Sequence, residues 1–185
     1  MRPMQLRRSW LFVGAADKNA ILTSYDSGAD VCIQEFEDFC LPELRREARL
    51  MMPDVLSDWR ARKIVATVRI NPLEDPDGLR DLDAAMRAGA DAILLPKANT
   101  KEQIVLLQKH INEMEKQCGK TVNSTKIIPN IEQARGLMNA TDILSSSTQI
   151  AGALVASEDM VVSLNAPRKK NSEILNHVRR VFHIA

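Results

Sequence analysis

The sequence predicts an α/β fold, a parallel sheet covered by helices and wound as about six βα units of a TIM-type (β/α)8 barrel. Three observations lead there. Six short apolar runs alternate with helical stripes, and most are continuous rather than alternating, the pattern of strands buried on both faces. Gly28, Gly89 and Gly152 each open such a run and stand 61 and 63 residues apart, and since one βα unit needs about 30 residues, each interval fits two. The 185 residues divide into units of about 31, and eight of these would make the usual barrel of about 250 residues. Residues 1–185 therefore read as a single TIM-barrel-like domain lacking the last βα units.

The first strand is the apolar run Ser9–Gly14, followed by a helix from Asp17 with Ile21, Leu22 and Tyr25 apolar and Gly28 at its end. Val31–Phe36 is the second strand. Past Pro42, Leu44, Ala48 and Met51 form a helical stripe. Lys63–Ile70, rich in valine and isoleucine, is the third strand, and Asp77 is the expected N-cap of a helix with Leu79, Leu82 and Met86 facing inward. Ala92–Leu95 is the fourth strand. Thr100 and Gln103 have capping-box spacing ahead of Ile104, Leu107, Ile111 and Met114, and Gly119 follows the helix end. Lys126–Ile131 is the fifth strand, where Pro129 is tolerable only because a residue near a strand tip can give up a ladder bond. The sixth begins at Ala151-Gly152, small residues expected to end a helix, and stops at Glu158-Asp159. A final helix from about Ser172 presents Ile174, Val178, Val181 and Phe182 on one face.

Composition excludes several function classes. With 45% hydrophobic and 26% charged residues and a formal net charge of +1, the chain has neither the composition of a disordered segment nor the basic excess of a nucleic-acid binder. Arg7-Arg8 and Arg168-Lys169-Lys170 read as solvated surface or local anion contacts. There is no run of about 18 apolar residues to span a membrane, and no apolar core of a signal peptide. Cys32, Cys40 and Cys118 lack metal-type spacing, so a reducing cytoplasm is expected.

Barrel enzymes carry their chemistry at the C-terminal strand ends. Here those ends supply Glu35, Glu37 and Asp38, then Arg69 and Asn71, then Lys97, Glu132, and finally Glu158 and Asp159. Crowded carboxylates repel, and a divalent cation offsets that cost. Oxygen donors without histidine or thiolate favour Mg²⁺, or Mn²⁺, over Zn²⁺. The same carboxylates would also serve as helix caps, and Arg69 would equally pair with one of them.

Six motifs in register with the strand tips carry a family resemblance. Arg8-Ser9-Trp10-Leu11-Phe12-Val13, Gly28-Ala29-Asp30 through Glu37-Asp38, Val68-Arg69-Ile70-Asn71-Pro72, Leu94-Leu95-Pro96-Lys97, Ile131-Glu132-Gln133-Ala134-Arg135-Gly136 and Ser157-Glu158-Asp159-Met160 occur in the order found in the HpcH/HpaI aldolase and citrate lyase beta-subunit family. The resemblance implies a Mg²⁺-dependent carbon–carbon lyase of the citrate lyase beta-subunit, citramalyl-CoA or malyl-CoA lyase type. Such an enzyme cleaves a 3-hydroxyacyl thioester, on coenzyme A or a carrier protein, to an acyl thioester and a 2-oxo acid. By position, Glu132 and Asp159 would hold the metal, Arg69 the substrate's carboxylate or carbonyl oxygen, and Lys97 would join the substrate rim. Glu35, Glu37 and Asp38 would orient metal-bound water.

The chain departs from the family pattern at Val13-Gly14, which lacks a proline before the glycine, and at Gln34-Glu35, where a leucine and an aspartate are usual. It also ends before the last two βα units and the C-terminal segment expected of family members. The alternatives are a 4-hydroxy-2-oxo acid aldolase and a non-catalytic ligand-binding or assembly subunit. Open sheet edges and the resemblance both lead to an expected homo-oligomer.

Overall fold

Each strand pairs in parallel with its successor in the chain, giving one six-stranded sheet of order β1-β2-β3-β4-β5-β6. The strands are β1 Trp10–Gly14, β2 Val31–Glu35, β3 Val65–Arg69, β4 Ala92–Leu95, β5 Lys126–Ile131 and β6 Leu154–Val155. This computed structural model describes residues 6–167 and 172–185, so the Arg168-Lys169-Lys170 cluster lies outside the described residues. The sheet curls into an incomplete barrel, the expected α/β architecture.

Side-chain alternation sorts the strands into two apolar layers. Val31, Ile33, Val65, Ala92, Leu94 and Ile128 line the concave face, whereas Cys32, Ala66, Val68, Ile93, Leu95 and Ile127 point outward into the larger core beneath the helices. Those helices are α1 Lys18–Ser24, α2 Arg45–Ala61, α3 Gly78–Arg87, α4 Lys101–Gln117, α5 Ala134–Met138, α6 Ala140–Ser145, α7 Ser157–Ser163 and α8 Glu173–Ile184. In α2 the buried stripe is Ala48, Met52, Val55, Leu56 and Trp59. Trp59 is fully buried and its indole N–H donates to Ser24 Oγ at 2.8 Å, so its one polar atom is satisfied inside the core.

Several expectations shift. The α2 stripe lies one residue beyond the predicted Met51, and Leu44 is exposed, because a short 3-10 turn at Pro42–Leu44 offsets the helix start. Leu79 is exposed rather than inward-facing, and Leu22 and Ile174 are exposed as well. Lys63 precedes β3 instead of beginning it, with φ at +62° in the left-handed turn that leaves α2. Asp77 flanks α3 but makes no capping bond, since Arg45 and Arg49 take its carboxylate. The capping box at Thr100 and Gln103 and the N-cap at Asp17 are present.

The sixth strand is two residues long, not the predicted run from Ala151. Ile150 bridges Ile127, then the chain leaves the ladder until Leu154 and Val155 meet Asn130 and Ile131. Gly28 and Gly89 take positive φ of +70° and +79° in the turns into β2 and β4, but Gly152 is not in that conformation and ends no helix. The likeness of the three glycines is thus one of sequence, with only two sharing a backbone role.

Two glycines in the rim loops are required by close approach. A Cβ on Gly78 would fall 2.2 Å from Pro72 O, and one on Gly136 would fall 2.3 Å from Ala98 O. Both seat a helix start directly on the loop leaving β3 or β4. Gly136→Ala is expected to destabilise the fold by about 1–3 kcal/mol, because the obstruction is backbone that cannot swing aside. A lowered urea midpoint with unchanged slope would agree, and an unchanged midpoint would refute the contact.

Candidate active site

Alternation along β3 places Arg69 on the concave face with Val65, at the strand's C-terminal tip. In the β2–β3 ladder Glu35 is its direct partner. Arg69 is buried and every guanidinium nitrogen meets a carboxylate. Nε donates to Glu35 at 2.7 Å and Nη2 to Asp38 at 2.7 Å, with Glu37 at 3.3 Å from Nη2 and Glu132 at 3.5 Å from Nη1. The Phe12 ring lies beneath, its centroid 5.4 Å from Cζ, a cation–π contact.

The carboxylates differ in their remaining bonds. Glu35 is fully buried, and besides Arg69 it accepts the backbone N–H groups of Glu37 at 2.6 Å and of Phe39. It therefore shapes the loop after β2. Glu37 pairs with Lys97 Nζ through one oxygen, while its other oxygen lies within ion-pair distance of Arg69 but outside hydrogen-bond geometry. Glu132 accepts from Asn130 Nδ2 through Oε1, and its Oε2 is buried with no hydrogen-bond partner, as is Asn130 Oδ1.

Electrostatics follow from this crowding. Burial, then the Glu37 charge, push the Glu132 carboxyl up to about 7, with Asp159 adding to the rise and Arg69 and Lys97 opposing it. Burial also raises Glu37 against the pull of Lys97 and Arg69. Burial opposes the Arg69 charge, but the Glu35 bond and surrounding carboxylates outweigh it and hold the guanidinium above its ordinary value. The Glu37 bond likewise raises Lys97.

Six of the sequence-predicted residues, Arg69, Glu35, Glu37, Asp38, Lys97 and Glu132, thus form one network. Asp159 stands apart in the first turn of α7 and lines, with Arg69, Asp38, Asn130, Phe12 and Trp10, an open cavity of about 580 Å³. Lys97 sits on a left-handed backbone with φ at +49° and reaches Glu37 rather than this cavity. Asn130 and Phe12 have site positions that sequence reasoning missed. The signal was parity, for Asn130 shares the inward face two residues before Glu132.

Among the described residues no three His, Cys, Asp or Glu side chains converge as a metal cluster. Mg²⁺ needs no such cage, since it usually takes one or two protein carboxylates and keeps water or substrate elsewhere. Glu132 Oε2, buried and unpartnered, and Asp159, which lines the cavity and whose charge bears on Glu132, fit that requirement. The charges fit as well. Arg69 and Lys97 supply two positive charges against four carboxylates, Glu35, Glu37, Asp38 and Glu132, before Asp159 is counted. A smaller cavity of about 360 Å³ at the opposite end of the strands, lined by Arg7, Lys120 and Lys126, has no comparable carboxylate set.

Because native Glu132 keeps its proton up to about pH 7 while an unfolded glutamate releases it near 4.3, this group's contribution to stability is greatest below that window and falls as pH rises through it. Glu132→Gln cannot ionise. In magnesium-free urea unfolding it is expected to exceed the wild type by about 1–3 kcal/mol at alkaline pH, with the advantage vanishing in acid. A variant no more stable at alkaline pH would refute the buried-charge cost.

Comparison with known proteins agrees with the fold. The citrate lyase subunit beta of Escherichia coli K12 is 33% identical over 175 residues, which are 94% of this chain and 58% of that protein. The chain therefore spans less than two thirds of that relative's length. The solved citrate lyase beta subunit of Mycobacterium tuberculosis complexed with oxaloacetate and magnesium superposes with a TM-score of 0.74 at 22% identity, covering 98% of this chain and 74% of that one. The structure of protein CitE from the same organism with magnesium, acetoacetate and coenzyme A gives 0.74 at 24% identity, covering 97% and 62%. The model of the HpcH/HpaI aldolase/citrate lyase family matches residues 8–185, and the chain belongs to that family.

Proposed function

We propose that the strand tips form the oxo-acid site of a Mg²⁺-dependent carbon–carbon lyase that cleaves a 3-hydroxyacyl thioester to an acyl thioester and a 2-oxo acid. The observation that carries this reading is that Arg69 and Asp159 line one cavity of about 580 Å³ while Glu132 lies 3.5 Å behind the Arg69 guanidinium. Family membership supports it, as do the ligands of the two mycobacterial structures, oxaloacetate with magnesium in one and acetoacetate with coenzyme A in the other.

Each residue's part follows from its surroundings. Arg69 offers a planar fork suited to a carboxylate, and of its partners Asp38 is the most exposed, at 48%. An incoming substrate carboxylate would displace Asp38, while Glu35 keeps Nε fixed and so sets the fork's direction. Trp10 and Phe12 form an apolar wall that excludes water on one side. Glu132 and Asp159 would hold Mg²⁺, which when bound polarises the oxo acid's carbonyl and offsets developing negative charge. Glu37 and Asp38 would orient the metal's water, and Lys97 tethers Glu37. With a pKa near neutrality, Glu132 changes protonation state in the range where the metal competes for it.

Cleavage of a 4-hydroxy-2-oxo acid would use the same groups, since it too releases an oxo acid. A non-catalytic subunit is favoured by one observation, that the protein's own carboxylates already occupy every Arg69 nitrogen. The proposal extends to a single barrel domain over 1–185, a homo-oligomer covering the outer edges of β1 and β6, and a reducing cytoplasm suited to free Cys32, Cys40 and Cys118. Among the described residues no helix is long and apolar enough to cross a membrane.

Calorimetric titration with oxaloacetate and Mg²⁺ tests the site. Saturable, Mg²⁺-dependent binding is expected in the wild type, weakened by about 10–100-fold in Asp159→Ala and in Arg69→Ala. Binding would justify assay of hydroxyacyl-CoA cleavage, whereas its absence in the wild type would leave the non-catalytic reading.

A further inference from the structure

The tip of β3 is held from below by a residue that no charge count at the rim includes. Asp81, in the first turn of α3, is fully buried. Its Oδ2 accepts two hydrogen bonds from Asn71, the backbone N–H at 3.0 Å and the side-chain Nδ2 at 2.7 Å. The same Nδ2 donates its second hydrogen to Phe36 O at 3.1 Å. Asn71 lies two residues beyond Arg69, and Phe36 lies between Glu35 and Glu37. One amide group therefore ties the loop that carries the carboxylates to the strand that carries the guanidinium.

The bracket is supported on its far side. Arg49 Nε lies 3.0 Å from Asp81 Oδ1, and Arg49 and Arg45 both pair with Asp77, at 2.6 and 3.1 Å. The arginines stand four residues apart on α2 and the aspartates four apart on or beside α3, so two helical turns engage each other face to face. Gly78 lets the start of α3 lie against the loop that carries Asn71, because a side chain there would meet Pro72 O. A buried carboxylate with these partners costs too much desolvation to be a casual packing contact.

We propose that Asp81 is a positioning residue which, through Asn71, locks the β2 and β3 tips together and so aims Arg69 into the site. Its bearing on catalysis rests on the reading of Arg69 as the substrate-binding guanidinium. Its bearing on Arg69 itself does not.

The test reads Arg69 directly. Arg69 Nε–H is buried and donated to Glu35, so in ¹⁵N-labelled protein at mildly alkaline pH it should give a slowly exchanging signal, identified by its loss in Arg69→Lys. Asp81→Ala and, independently, Asn71→Ala are expected to speed that exchange at least about tenfold. Arg49→Met, which removes only the α2 side of the bracket, is expected to lower the thermal midpoint and keep the Arg69 signal. Unchanged exchange in a folded Asp81→Ala or Asn71→Ala would overturn the proposal, as would equal acceleration in Arg49→Met, which would reduce Asp81 to general support of helix packing. Oxaloacetate titration of the same samples should show about tenfold weaker affinity in Asp81→Ala. A wild type that does not bind would sink the lyase reading while the exchange rates still decide the role of Asp81.

Discussion

A buried guanidinium held among carboxylates is the constraint on which the rest of this structure depends. Taking an ion out of water costs several kcal/mol even after relaxation, and a buried charge that loses its partner costs about 3–5 kcal/mol. Arg69 is tolerable only because Glu35 stands opposite it in the ladder and Glu37, Asp38 and Glu132 surround it. Three of those carboxylates need the tip and loop of β2 in register, and the fourth needs the tip of β5. Gly14, where a Cβ would come 2.9 Å from Phe39 O, leaves the space in which the loop after β2 folds back over Glu35. The convex core beneath α2 and α3 supplies the stability that lets the concave tip carry so much charge.

The balance at the tip is deliberately incomplete in a physical sense. A structural ion pair would match its charges, whereas here the carboxylates exceed the cations and Glu132 retains an unpartnered buried oxygen. Such an arrangement is stable alone only by holding protons, and it favours any ligand that brings positive charge. The strained backbone at Lys97 belongs to the same pattern, since a left-handed lysine persists only where its surroundings fix it.

Much of the fold was legible because the signals are local. β4 and β5 begin and end where their apolar runs do, and the glycines at 28 and 89 punctuate the turns. The rim residues followed from the rule that barrel chemistry sits at strand ends, and alternation alone would have added Asn130 to them. What escaped was set by tertiary geometry. Nothing in Gly152 distinguishes it from Gly28, because the difference lies in where Ile150 meets Ile127. Asp81 reads as an ordinary helix residue, since its partners Asn71 and Arg49 come from other elements. Helix stripes misplaced Leu79 and Ile174 because periodicity defines a face but not how far the neighbouring helix reaches over it.

The neighbour-by-neighbour strand order also has a temporal meaning. A chain whose every strand pairs with the preceding one can fold as it emerges from the ribosome, without waiting for distant partners. Glu35 precedes Arg69 in the chain and is its partner in the ladder, so pairing β3 with β2 brings the guanidinium against a carboxylate. Glu132 arrives 63 residues later and Asp159 later still. Three carboxylates thus precede the guanidinium in the chain and two follow it, so the tip is anionic at both ends of its order of synthesis and Arg69 joins the two groups.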